Sequence, residues 1–425
     1  MSTAMVVGSE RRPIDASSLS ATVRSVETGV GERIRRLAER RGYLVEHKHG
    51  ARYGIGVAVR LVASDGFAEG TQARDSLRQL STIPGATAAN LVAFSSLPFS
   101  ARHRGELIVP TVTLVNNGTD ESVICVSGDR EFDLERFFDT LDDSPPPQSP
   151  DQFDVGFSET RDDYLRRVTE AKVAIASGGF EKVVLARKCV VRANAPYRIE
   201  PLVSALRTEQ PNTALFAVDG FIGASPELLV ERRGAKVTST PLAGTVPRSD
   251  DQIENAGWIA ELTSSEKERF EHRVVVEEIE KILTACGANL EAPNAPEPLE
   301  LANVTHLATL ITGTLDGADS WRPSALELAC ALHPTPAIAG SPRESALGYL
   351  ARTEPFDRGR YGGPVGYVDA NGDGAWWIGI RAATITGEEA VLCAGGGIVA
   401  GSDPEAEFAE TVAKFAALLP LLTRS

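Results

Sequence analysis

No stretch of this 425-residue chain reaches the ~18 consecutive apolar residues that a membrane-crossing helix needs. Cysteine is scarce. Cys125, Cys189, Cys286, Cys330 and Cys393 are scattered, odd in number and never spaced as CxxC. That pattern excludes a disulfide framework or a thiolate metal site and leaves them as reduced core residues. Basic charge is also short: 43 Lys and Arg stand against 58 Asp and Glu, a formal net charge of −15. A nucleic-acid surface would need a basic stripe, so no such partner is expected. Any small anionic ligand must be held by local cations or a metal, against the mean field. The chain has no Walker A sequence, no HExxH and no GxSxG, and Gly395–Gly397 does not satisfy GxGxxG. P-loop, zinc-protease, common serine-hydrolase and dinucleotide-fold chemistries are thereby set aside. The segment MSTAMVVGSERRP has only a short apolar patch, with its charges on the wrong side for a signal peptide. The expectation is a soluble cytoplasmic protein with no membrane partner.

What is present is a globular composition, 42% hydrophobic, with enough length for two average domains or one large one. Residues 1–30 look frayed, and residues 31–150 read as scaffold. In that part GERIRRLAERRG has the pattern of a helix, YGIGVAVRLVA of a strand, and GELIVPTVTLV of a β-rich segment. The proline-rich DDSPPPQSPD (Asp142–Asp151) is the clearest break, an exposed connector that need not separate independent domains. Residues 151–425 carry the chemistry. ETRDDYLRRVTEAKVAIASGG reads as a helix with a glycine stop, and FEKVVLARKCVV as a strand with Lys182 near its start. SPELLV places Glu227 beside a proline, as a cap or turn residue. PLAGT reads as a tight apolar turn in which Gly244 and Thr245 offer N–H groups and a hydroxyl. His306 sits inside an apolar strand, His333 precedes a proline-rich AIAGSP turn, and AWWIGIRAATI reads as one hairpin strand containing Arg381.

Two helices stand out. SSEKERFEHRVVVEEIEKIL, capped by Ser264 or Ser265, carries Glu268 and Glu271 three apart. The helix after CAGGGIVAGSDP carries Glu407, Glu410 and Lys414. Residues three and four apart share a helix face. Each pair is either an ordinary solvated face or half of a site. If the helices converge, four hard oxygen ligands with no soft ligand nearby suit Mg²⁺ and not zinc. Lys182 is then a candidate base, Glu227 a candidate acid, and Arg381 and Lys414 carboxylate clamps.

FEKVVLAR, GASPELLV, PLAGT, SEKERFEH, THLAT, LHPTPAIAGSP, EPFDRGRYGGPVGY, IGIRAA and AGGGIV…EFAET occur in this order from about Phe153 onward. Together they resemble the chorismate-utilising enzymes, and among them the isochorismate synthases. The resemblance implies an α+β fold: one large domain of two similar halves, with antiparallel-rich central sheets, outer helices and the site between. It implies a Mg²⁺-dependent isomerase in menaquinone or siderophore biosynthesis, a monomer acting on chorismate. Lys182 would activate water for attack at C2, and Glu227 would protonate the departing C4 hydroxyl. Glu271 and Glu410 would bind the metal directly, with Glu268 and Glu407 nearby through water. Gly244, Thr245, His306, Ala337, Ile338, Tyr361, Arg381, Gly395 and Lys414 would hold the substrate. A base lysine must shed its proton and an acid glutamate keep its own, so both belong in a dry cleft.

Lys182 is not found at the matching position of anthranilate synthases, and Ala243 stands where aminodeoxychorismate synthases carry a nucleophilic lysine. The rival is salicylate synthase, which goes on to eliminate pyruvate; LHPTPAIAG and EKERFEH resemble the non-eliminating branch. A non-catalytic chorismate-binding relative is the alternative from another class, and the presence of both Lys182 and Glu227 argues against it. Two departures are notable. Glu268 stands where aspartate is frequent, with an effect expected on the metal shell. Cys393 replaces a bulkier residue beside the substrate, which is expected to loosen the pocket.

Overall fold

The computed structural model describes residues 4–6, 19–27, 29–67, 70–128, 132–141, 149–317 and 322–424. Most apolar segments become strands, paired antiparallel into a ten-stranded sheet, a twelve-stranded sheet and a three-stranded ribbon. The two large sheets share a core. Val45, Ile124 and Phe216 enter it from the twelve-stranded sheet, and Leu61, Phe94, Leu107 and Trp376 from the ten-stranded sheet. In the strand Tyr43–His47 the period of two is plain: Tyr43 and Val45 face the other sheet, whereas Leu44 joins a second core. That second core is closed by the helices Val30–Arg41 and Ile199–Glu209. The helices Gly70–Ser81, Glu266–Ala285 and Ala325–Leu332 pack against the first core. The order is therefore helices, sheet, sheet, helices, the α+β arrangement expected.

Segments that read as single strands are divided between the sheets. YGIGVAVRLVA separates into Gly50–Ile55 in the twelve-stranded sheet and Val59–Ala63 in the ten-stranded one. GELIVPTVTLV parts at Pro110, which has no N–H to continue a ladder, into Gly105–Val109 and Val112–Asn116. AWWIGIRAATI, expected as one strand, is two: Gly374–Ile378 in the ten-stranded sheet and Ala382–Thr386 in the twelve-stranded. Here Gly379 admits no side chain, since a Cβ would lie 2.7 Å from Phe221. Arg381 turns the chain with φ +51°, a left-handed conformation costing a non-glycine residue about 1–3 kcal/mol. A matching crossing at Pro226–Glu227 links Phe221–Ser225 to Leu228–Arg233. Each half of the molecule thus has two such crossings.

Other expectations change. PLAGT is not a turn: Leu242–Pro247 is a strand with a bulge between Ala243 and Thr245, where Gly244 takes φ +76°. Of residues 1–30, expected to fray, Ser20–Ser25 instead pairs along Glu121–Ser127, and Ala4–Val6 pairs with Val59–Ala63. Most of the connector expected over Asp142–Asp151 lies outside the described residues. No described helix is long and apolar enough to cross a membrane.

Candidate active site

The two crossings of the C-terminal half touch each other. Ile378 N–H donates to Glu227 O at 3.1 Å, and Ala224 N–H to Arg381 O at 3.2 Å. The chain must leave one sheet for the other at both points, so Glu227 and Arg381 project where neither ladder continues. A cavity of about 50 Å³ opens there. Glu227, Arg381, His306 and Lys414 line it, with Gly244, Thr245, Ala337, Ile338, Tyr361 and Gly395 completing the substrate-holding set implied by the family. Glu271 is also on its wall. Lys182, Glu268, Glu407 and Glu410 stand behind the wall rather than on it.

Glu227 is 3% exposed, and its nearest donor is Leu242 N–H at a long 3.5 Å. Burial pushes its carboxyl up to about 8, despite the opposing pull of the Leu242 N–H, Lys182, Lys414 and Arg381. It holds a proton at neutral pH. Lys182 is fully buried, and its Nζ lies 3.0 Å from Glu271 Oε1. The contact is an ion pair off hydrogen-bonding alignment, leaving Lys182 Nζ without a hydrogen-bond partner. Burial pushes the Glu271 carboxyl up, but Lys182, Lys267 and Lys414 outweigh it and hold it below its ordinary range.

His306 is neutral, because burial and the neighbouring Arg381 and Lys414 disfavour its cation. Its tautomer follows from its partners. Arg381 Nη2 can only donate, and it does so to Nε2 at 3.1 Å. Nδ1 therefore carries the proton and donates to Gly244 O at 3.1 Å, with Thr245 Oγ1 at 3.0 Å. This chain of contacts fixes the Arg381 guanidinium over the bulge.

The three glycines of the strand Glu389–Ile398 work by absence. A Cβ on Gly397 would lie 2.0 Å from Glu271 Oε1 and 2.9 Å from Lys182 Cε. One on Gly396 would lie 2.8 Å from Glu407 Oε2, and one on Gly395 3.1 Å from the Tyr361 hydroxyl. Lys414 donates to Gly395 O at 2.8 Å and pairs with Glu410. Beneath the helix Pro404–Phe415, Arg187 donates to Thr411 Oγ1 at 2.9 Å, its guanidinium 4.2 Å from the Phe408 ring and 4.9 Å from Phe157. That cation–π contact fixes the helix bearing Glu407 and Glu410.

The helices carrying the two acid pairs do converge. Glu268 Oε2 accepts from Thr245 N–H at 3.1 Å, and Lys267 Nζ lies 3.0 Å from both Glu268 Oε1 and Glu407 Oε1. Burial, then repulsion from Glu410, pushes Glu407 up to about 7, and its Oε2 is buried without a hydrogen-bond partner. Among the described residues no three His, Cys, Asp or Glu side chains stand together as a ready metal-ligating set. The donor chemistry nevertheless fits a hard cation: oxygen donors only, one of them orphaned, and four carboxylates facing three ammonium groups.

Lys267 escaped the sequence reading. Its spacing of four from Glu271, the same rule that paired the acids, was the available signal. Cys393, expected beside the substrate, instead packs behind the wall with Ala186 and Tyr361. His272 bonds Thr309 Oγ1 at 2.7 Å, and His333 bonds Phe99 O at 3.0 Å; neither reaches the cavity. A larger cavity, about 690 Å³, is lined by Phe67, Phe99, His333 and Arg343, and by Arg358. Arg358 donates to Val184 O and Ile338 O, on residues of the smaller cavity's wall. The smaller cavity gathers Glu227, whose carboxyl burial pushes up to about 8, with Arg381 and Lys414.

Residues 34–423 match the family model described as chorismate binding enzyme. The chain is 33% identical over 382 residues to the isochorismate synthase DhbC of Bacillus subtilis, covering 85% of this chain and 90% of that protein. It is 38% identical over 267 residues to the vibriobactin-specific isochorismate synthase of Vibrio cholerae, covering 62% of this chain and 67% of that one. The solved structure of MenF, the menaquinone-specific isochorismate synthase from Escherichia coli, superposes with a TM-score of 0.78 at 26% identity, over 96% of this chain and 94% of that one.

Proposed function

This chain belongs to the chorismate binding enzyme family, and from that premise we propose that it is a Mg²⁺-dependent isochorismate synthase. The observation that carries the mechanism is Glu227: a buried carboxyl on the cavity wall that keeps its proton at neutral pH, with fully buried Lys182 close enough to act on its charge. Lys182 takes a proton from the water that attacks C2 of chorismate. Glu227 gives its proton to the C4 hydroxyl, which leaves as water while the ring double bonds shift. One water enters and one departs, so the reaction is an isomerisation and runs both ways. Arg381 and Lys414 hold the substrate carboxylates, with Arg381 kept in place by neutral His306. Glu271 and Glu410 would hold Mg²⁺, with Glu268 and Glu407 behind them; the ion supplies positive charge for the ring carboxylate.

The open space of about 50 Å³ is far below the ~300 Å³ at which small-molecule pockets begin. Lys414 reaches across its wall to Gly395 O at 2.8 Å.

Incubating the purified protein with chorismate and Mg²⁺ should yield isochorismate without pyruvate. Stoichiometric pyruvate would reassign it as a salicylate synthase, and absence of turnover with retained chorismate binding would make it a non-catalytic relative. Lys182→Ala and Glu227→Gln should each lower turnover at least ~100-fold, the usual cost of removing a general base or acid.

A further inference from the structure

Lys267 is in the first turn of the helix Glu266–Ala285, yet its Nζ reaches Glu407 on the helix Pro404–Phe415, 3.0 Å away, while also lying 3.0 Å from Glu268. It is the ammonium that spans the two acid-bearing helices. Glu407 is 1% exposed, and its other oxygen is orphaned; the Ser402 hydroxyl stands nearby outside hydrogen-bonding geometry and accepts from Val399 N–H. A buried carboxylate facing further carboxylates is stabilised by a neighbouring cation. Without a divalent ion, Lys267 is the cation that joins the two helices.

We propose that Lys267 is a resident counter-cation, a positioning residue that holds Glu268 and Glu407 together when the divalent site is empty and competes with the metal when it fills. This rests on the metal reading above and adds a competitor within the chain. Two opposite effects follow from one charge. Neutralising Lys267 leaves four carboxylates facing two ammonium groups, so the metal-free protein loses stability. The same change deepens the negative field, so Mg²⁺ binds more tightly.

The test is isothermal titration of Mg²⁺ into the substrate-free protein, with thermal unfolding in EDTA and in saturating Mg²⁺. Lys267→Met and Lys267→Gln should unfold at lower temperature in EDTA, bind Mg²⁺ about 3- to 30-fold more tightly by removal of a nearby unit charge, and gain more from the ion than wild type. Lys267→Arg, which keeps the charge, should return both readouts toward wild type. Unchanged or weaker Mg²⁺ binding in the neutral variants overturns the inference while leaving the metal reading intact. Absence of Mg²⁺ binding by wild type overturns both. Amine labelling of the wild-type protein needs no variant: Lys267 should label faster with Mg²⁺ than with EDTA, and an equal rate counts against the proposal.

Discussion

Glu227 shows how a side chain acquires its chemistry from the loss of water around it. Its folded-state value of about 8 lies above the ordinary 4.5, so the folded protein holds a proton that the unfolded chain releases between those pH values. Stability therefore falls as pH rises through that window. Glu227→Gln has no such proton, so its melting temperature relative to ligand-free wild type should climb between about pH 5 and pH 8. A gap that does not change with pH would refute the assignment. Turnover of the wild type should decline above about pH 8, where the acid is lost, and that limb should vanish in the variant. The sequence announced the identity of these residues through motif order, and the cavity gathers Glu227, His306, Tyr361, Arg381 and Lys414. It could not announce that Lys267, legible only by its spacing from Glu271, reaches a carboxylate 140 residues away. Nor could it place Cys393, because which face of a strand meets a ligand is settled by neighbouring strands.

At the level of elements, periodicity found the helices and misjudged the strands. The helix Arg161–Ala176 has the capping box Thr160–Asp163 and glycines beyond its end, all local signals. Ser265, not Ser264, caps the helix Glu266–Ala285. By contrast, AWWIGIRAATI is apolar almost throughout, and its pattern does not say that Ile378 and Ala382 belong to different sheets. Hydrophobic patterning reports burial, not which sheet is buried against. The glycines of Glu389–Ile398 are likewise intelligible only with their opposite numbers in view. Gly397→Ala keeps a backbone any residue can adopt, but puts a methyl within 2.0 Å of Glu271 Oε1. Glu271 must then abandon Lys182. Turnover should fall by ~100-fold or more, as for loss of the base itself, with near-native circular dichroism. Ordinary activity in this variant would show that the Lys182–Glu271 pair is dispensable.

Across the whole molecule, the described residues among 31–150 contribute no side chain to the cavity wall, yet they are woven through both sheets. Tyr43–His47 pairs with Ala214–Val218, and Val92–Ser96 with Pro364–Asp369. Residues 151–425 expressed alone would expose both of those edges and lose Val45, Phe94 and Leu107 from the shared core. Unpaired apolar edges aggregate, so the fragment should be insoluble; a soluble fragment with a cooperative melt would contradict this. The proline-rich break could suggest a domain boundary, whereas the strand pairings show a single fabric. The strand beginning at Lys182 lies beside Glu389–Ile398, and contacts so remote in sequence close slowly. Trp376 is sealed by strands just as remote, Val92–Ser96 among them, so its fluorescence and ligand capture should recover together during refolding. The seams that seal the core are the ones that make the enzyme.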